Sequence, residues 1–409
     1  MTRRPMEGVR ILEVAQYTFV PAAGGVLADW GATVVKVEHA EYGDAQRGLT
    51  NIGATSMGSG NYKPIMEHPN RGKRSIGLAL EKPEAMEVLH ELTKISDVFL
   101  TNFLPAARRK LHIDPEDIRA INPQIIYVRG SGFGIRGPDA DRPGFDGTAF
   151  WSRGGSGFGV TPLGYDGSLF MPSGAYGDSM GGMTIAGGIA GALFARERTG
   201  EPSIVDVSLL SVGAWATGLS VGVSLMSGEP VPQRGSETEG APNNPIYGQF
   251  KTADGRWLQF SMLQPGRYWP EVCRALGRPE LITDERFSPV DRLIANAKEA
   301  GTIIRNEISS RSLAELTAQL QDMDAPWAIV QNSLEVGHDP ALRANGYIQS
   351  FTDAEGNRRE LVANPVQFDE TPPSLTRAPQ FSEHTDVILK ELGYDEDEII
   401  RLKIAGAVA

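Results

Sequence analysis

Strand-length apolar runs alternate with helix-length segments through the first 132 residues, and this alternation narrows the fold more than any other feature. "VRILEVA" (9–15) reads as a buried strand. "PAAGGVLADWG" (21–31) opens with Pro and closes on Gly, the punctuation of a helix, and "ATVVKVE" (32–38) is strand-like again. Two strands joined through a helix in about thirty residues pair in parallel, because only a crossover of that length returns the chain to the same edge. The pattern continues with strands at 73–80, 97–102 and 124–132 and helices at 81–96 and 115–122. A doubly wound α/β domain is therefore expected, with a mostly parallel, Rossmann-like sheet.

Past residue 205 the pattern changes. "VDVSLLSVGAWATGLSVGVSLMSG" (205–228) is a long apolar run, expected as one buried core helix because nearly half of its uncharged part is Ser, Gly or Thr. "EPVPQRGSETEGAPNNP" (229–245) is a polar linker rich in Pro and Gly. "YGQFKTADGRWLQFSML" (247–263) predicts two strands around an Asp-Gly turn, followed by helices at 297–307 and 312–323. The tail at 384–403 reads as helix, Gly stop, acidic cap and helix, packed back on the first domain. This divides the chain into a large domain, 1–228 with a return over 335–409, and a smaller α+β domain over 229–334.

The 409 residues carry a net charge of −12, which argues against a nucleic-acid or membrane-surface partner. "NRGKRS" (70–75) and "ARRKLH" (107–112) stand out as basic islands. Cys273 is the one cysteine, so no intramolecular disulfide forms and a reducing, cytoplasmic setting is expected. No paired His or Cys set shows metal-ligand spacing, so no metal is expected.

"YGDSMGGMTIAGGIAGALF" (176–194) sets one carboxylate, Asp178, at the mouth of a helix built largely from Gly and Ala. An Asp there is ordinarily a first-turn charge. Two other motifs are set aside. "GFGIRG" (132–137) fits a dinucleotide fingerprint but is followed by "PDADRPG", which does not begin a helix. "GGSGFG" (154–159) approximates a serine-hydrolase elbow, yet Phe158 stands where its final Gly belongs.

Six segments in order, "GVRILEVA…PAAGGVLADWGATVVKVE", "NRGKRSI", "DVFLTNFLP", "RPGFDGTAF", "GDSMGG…GALFARERTGEPSIVDVSLL" and "HTDVILKELGY", resemble the family III coenzyme A transferases over nearly the whole chain. This family also holds 2-methylacyl-CoA racemases. The resemblance implies a CoA transferase with Asp178 of the Gly177-Asp178 motif as nucleophile, CoA as substrate and no tightly bound cofactor. It matches Tyr17, Thr18 and Phe19 to the loop beside pantetheine and the active site, and His39 to a position near adenosine. Lys73, Asn102, Phe103 and Lys110 resemble other CoA-contacting positions.

An interlocked homodimer is likewise implied. On this reading the helix N-terminus keeps Asp178 ionised and Gly181 and Gly182 make room for the thioester. Phe150, Trp151, Phe158, Phe170 and Met171 are candidates for an apolar acyl pocket. A racemase is the alternative, but its motif carries His where this chain has Phe145, and a two-base proton exchange then lacks one base. A non-catalytic CoA-binding subunit is the second alternative. The glycine run that covers the active site in some relatives has no counterpart in "EGAPNNPIYGQF" (239–250).

Overall fold

A computed structural model describes residues 4–52, 55–58, 60–233 and 243–409. Most of the 229–245 linker, and the start of the segment compared with the glycine run, lie outside the described residues. Six parallel strands form the central sheet: β1 (Arg10–Val14), β2 (Thr33–Glu38), β3 (Arg74–Gly77), β4 (Val98–Thr101), β5 (Ile126–Ser131) and β6 (Ile204–Ser208). Their order is β3-β2-β1-β4-β5-β6, every neighbouring pair parallel. The direction of winding reverses between β1 and β4, and in open sheets of this kind the cleft at the carboxyl ends of those two strands is where ligands bind.

Period-two alternation divides β1, β4 and β5 between two apolar layers. Ile11, Val98, Leu100, Ile126 and Val128 face one layer, with Leu27, Ile185 and Ile189. Leu12, Val14, Phe99 and Tyr127 face the other, with Leu89, Ile388, Leu389 and Ile399. The tail helices Thr385–Glu391 and Glu396–Ile404 thus pack on the large unit, and Val408 bridges to Leu78 at the edge of β3.

The first layer rests on two helices, α1 (Phe19–Asp29) and α2 (Tyr176–Thr199). Glycines on α2 let these backbones meet. A Cβ on Gly182 would lie 2.5 Å from Ala22 Cβ, and one on Gly181 would lie 2.3 Å from the Phe19 ring. The space beside these glycines is therefore filled by α1, which corrects the expectation that they make room for a thioester. Ile185, Ile189 and Leu193 of α2 are buried, whereas Met180 and Phe194 are exposed.

The run at 205–228 is not one helix. After β6 it forms Leu209–Ala216 and Gly218–Ser227, bent by 73° at Thr217. It is not a core helix either: Trp215 (88%), Leu219 (86%), Leu225 (82%) and Met226 (81%) are exposed. Among the described residues no single helix is long and apolar enough to cross a membrane, although this bent pair passes on length and composition.

The chain divides into two units: Met1–Val160, Gly167–Pro232 and Asp339–Ala409 in one, and Thr161–Asp166 with Gln233–His338 in the other. The second unit has its own core. Strands Tyr247–Lys251 and Trp257–Ser261 pair antiparallel across the Asp254-Gly255 turn, and Trp327–Ile329 adds a third. Phe250, Phe260, Trp269, Cys273, Ile304 and Leu316 fill the core. Cys273 is fully buried, and burial pushes its thiol up to about 12.

Candidate active site

Three loops leave the carboxyl ends of β1, β4 and β5 and meet around a cavity of about 720 Å³. The loop after β1 leads into Gln16, Tyr17 and Phe19, that after β4 contributes Asn102 to Pro105, and the end of β5 with its loop contributes Gly130, Ser131, Gly132 and Gly134. Arg142 to Phe145, Leu209 and Asp178 complete much of the wall. That volume is typical of a small-molecule site.

The loops are cross-braced at the switch point. Gln16 donates its amide to Asn102 Oδ1 (3.1 Å), and Asn102 Nδ2 donates back to the Gln16 carbonyl (2.7 Å). Tyr17 adopts φ of +64°, a strained conformation for a residue with a Cβ, and its ring meets Phe145 edge-on at 5.4 Å.

Asp178 is the third residue of α2 and only 9% exposed. Its carboxyl is pushed up to about 8, first by burial and second by the charge of Asp146. The expectation that the helix N-terminus keeps this group ionised is therefore corrected. A helix dipole is worth about 1 kcal/mol or less at such a position, and desolvation beside a like charge outweighs it.

Asp146 is also 9% exposed and raised by burial, while the Gly147 and Gly177 amides oppose the shift. Gly147 donates to its Oδ1 at 2.8 Å, and its Oδ2 is buried without a hydrogen-bond partner. In the sequence, "GFD" stands out for its missing His and gives no sign of Asp146, because two carboxylates 32 positions apart carry no spacing signal.

One residue beyond Asp178, Ser179 Oγ donates to the Ala175 carbonyl (2.9 Å) and lies 3.1 Å from His68 Nε2. Because the hydroxyl proton is used on Ala175, the His68 ring is assigned as the Nε2–H tautomer. Burial and Arg71 hold His68 down to about 4, so it is neutral at pH 7 and pins the first turn of α2 by hydrogen bonding alone.

The other sequence-derived residues separate into two groups. Tyr17, Phe19, Asn102 and Phe103 line the cavity. Thr18 lies behind it, buried and donating to Gln46 Oε1 (3.0 Å). His39 stacks on Tyr42 at 4.7 Å and lies 3.4 Å from Glu81, away from the cavity wall.

Lys73 is a correction. Its ammonium is fully buried, donating to Glu13 (2.7 Å), Asn70 Oδ1 (3.0 Å) and the Pro21 carbonyl (2.8 Å), so no donor remains for a phosphate. A basic island on a strand edge looks solvated in sequence, and only the sheet order turns this residue inward. Lys110 is exposed at the end of helix Pro105–Lys110 and does not line the cavity; Arg108 and Arg109 do. Arg108 is held by Asp114 at 2.8 Å, and Arg109 is the exposed cation of that island on the cavity wall. Phe150 and Trp151 belong to the core, Phe158 and Phe170 are exposed, and Met171 packs on the core, so none of the five forms the cavity wall.

A buried carboxylate thus stands on the wall of the switch-point cleft of a parallel α/β sheet. The family model for CoA-transferase family III matches residues 6–385, and the chain belongs to that family. It is an acyl-CoA:carboxylate CoA-transferase by class.

Among curated relatives, the chain is similar to (R)-2-hydroxy-4-methylpentanoate CoA-transferase of Clostridioides difficile, 30% identical over 97% of this chain and 98% of that one. It is also similar to cinnamoyl-CoA:phenyllactate CoA-transferase of Clostridium sporogenes, 33% identical over 97% and 95%. Among solved structures, a CAIB/BAIF family protein from Brucella suis matches with a TM-score of 0.79 and 27% identity, covering 96% of this chain and all of that one.

Proposed function

We propose that the protein moves CoA from an acyl-CoA donor to a carboxylic acid through covalent intermediates on Asp178. The observation that carries this reading is the placement of Asp178. Of the two carboxylates on the cavity wall, Asp141 is exposed and Asp178 is buried at the head of a helix that packing immobilises.

Asp178 Oδ attacks the thioester carbonyl, and collapse of the tetrahedral oxyanion expels CoA thiolate and leaves an acyl-aspartyl anhydride. The thiolate attacks the aspartyl carbonyl, releasing the donor acid and forming an aspartyl-CoA thioester. The acceptor carboxylate attacks that thioester, a second anhydride forms, and the returning thiolate takes the new acyl group and frees Asp178. Each step exchanges one acyl bond for another, so neither oxidant nor water is consumed. Desolvation that disfavours the free carboxylate also makes it a stronger nucleophile once ionised.

CoA is expected along Tyr17, Phe19, Asn102 and Phe103, with Arg109 offering a cation to phosphate. Leu104, Ile135, Phe145 and Leu209 line the same cavity, which suits acids with an apolar side chain, in keeping with the branched and aromatic 2-hydroxy acids in the names of two relatives. Phe145 occupies the place of a second base, which disfavours racemisation. The exposed Trp215, Leu219, Leu225 and Met226 supply an apolar face that pairing with a second copy would cover, supporting an expected interlocked homodimer. One free, buried Cys273 accords with a reducing, cytoplasmic setting. A mass-spectrometric screen of acyl-CoA donors against aliphatic, aromatic and dicarboxylic acids tests the reading: product acyl-CoA is expected with apolar 2-hydroxy acids, and no transfer to any acid would overturn it.

A further inference from the structure

Beneath the loop after β1 lies a chain of buried charges that the proposed chemistry does not use. Glu13, Lys36 and Lys73 are essentially inaccessible, and Asp44 is 1% exposed. Lys73 pairs with Glu13 at 2.7 Å, Glu13 lies 3.4 Å from Lys36, and Lys36 pairs with Asp44 at 2.8 Å. Glu38 and Arg47, paired at 2.6 Å, close the set, and Glu38 also accepts the Asp44 amide at 3.0 Å. Three carboxylates thus face three cations, and the group is neutral as a whole.

Its output is on Tyr17. The Tyr17 amide donates to Asp44 Oδ1 (3.1 Å), the oxygen that also accepts from Gln46 N (2.9 Å). Lys36, which holds the other oxygen of Asp44, also donates to the carbonyl of Ala15 (2.9 Å), two residues before Tyr17. A single ammonium therefore fixes both sides of the one residue in this loop with positive φ. Backbone in that region persists where the surroundings over-determine it, and such strain concentrates at functional sites. Tyr17 in turn braces Phe145 across the cavity that Asp178 enters.

We propose that Asp44 is a positioning residue for acyl transfer, acting through the Tyr17 backbone to hold the Tyr17–Phe145 wall against the reacting carboxylate. The inference rests on the reading of this cavity as the acyl-transfer site. Asparagine at 44 can offer an oxygen to the Tyr17 amide only by turning its NH2 toward the Lys36 ammonium, so the substitution breaks one of the two contacts.

The test measures kcat and KM for Asp44→Asn, Tyr17→Ala and the double variant, beside Asp178→Asn, with melting curves for each. Asp44→Asn is expected to lower kcat/KM by about 100-fold, the scale of a small misplacement remote from the chemistry. In the Tyr17→Ala background the same change is expected to cost less than about twofold, because the ring whose placement Asp44 controls is gone. Full, additive loss in both backgrounds, with Asp178→Asn inactive, would overturn the positioning role alone. Transfer by Asp178→Asn would instead overturn the reading of the site. Hydrogen exchange on the wild-type enzyme gives a readout that needs no variant to fold: the Tyr17 amide is expected to be protected, and exchange at the free-peptide rate would contradict the proposal.

Discussion

Asp146 and Asp178 both bury their carboxyl groups, and the charge of the first opposes ionisation of the second at the head of α2. Attack on a thioester requires the carboxylate form of Asp178. The kcat/KM of the free enzyme is therefore expected to rise with pH through about 8. Removing the neighbouring charge in Asp146→Asn should move that inflection to lower pH. An unchanged inflection in this variant would show that the two groups do not interact.

The same shift has a stability consequence. A carboxyl whose pKa is raised in the fold binds its proton more tightly folded than unfolded, so stability falls as pH rises from about 4 toward about 8. Asp178→Asn removes this penalty, since it carries no charge to bury. It is expected to melt higher than wild type at pH 8 and to differ little at pH 4, as read by calorimetry. A lower melting temperature at pH 8 would contradict the burial of an ionised group.

Lys73 and Arg109 should behave oppositely. Lys73→Met leaves Glu13 buried with Lys36 as its remaining cation and is expected to cost about 3–5 kcal/mol of stability. Urea denaturation reads this directly, and the KM of the acyl-CoA donor should stay near the wild-type value where the variant is folded. Arg109→Met should leave stability unchanged and raise the donor KM by about tenfold, an effect that shrinks with salt. Lys110→Met is expected to raise it less. A donor KM that responds to Lys73 and not to Arg109 would reverse these assignments.

Gly182 is expected to be a packing residue. A methyl group there meets Ala22 Cβ at 2.5 Å and the Ala23 amide nitrogen at 3.0 Å, so Gly182→Ala forces α1 and α2 apart at a cost of about 1–3 kcal/mol or more. Gly187, with nothing within 4 Å of its Cβ position, should accept Ala with no loss of stability. Comparing the two melting temperatures tests whether helix approach, rather than helix propensity, explains these glycines.

Much of the sheet was legible because each strand is short, apolar and bounded by its own punctuation. β1, β2, β4 and β5 lie within the runs read from periodicity. The exposed, bent pair at 205–228 is not legible because composition cannot distinguish an apolar segment that faces the core from one left exposed, and a bend at Thr217 has no Pro to announce it. Asp178 stood out only through a resemblance, since an acidic residue in a first helical turn is commonplace. Asp146, Asp44 and His68 were not legible at all. Their significance is spatial, created when loops from separate strands converge, and the inward turn of Lys73 likewise depends on which strand lies beside β2.

Transfer through Asp178 requires that its carboxylate be covalently acylated and then carry CoA. The direct measurement is peptide mass spectrometry of enzyme incubated with an acyl-CoA donor and quenched with hydroxylamine, alongside the transfer rate of Asp178→Ala. A hydroxamate is expected on the peptide containing Asp178, formed only with donor present, with loss of transfer by about three orders of magnitude or more in Asp178→Ala. Transfer at the wild-type rate by Asp178→Ala, or a hydroxamate on another carboxylate, would contradict this role of Asp178.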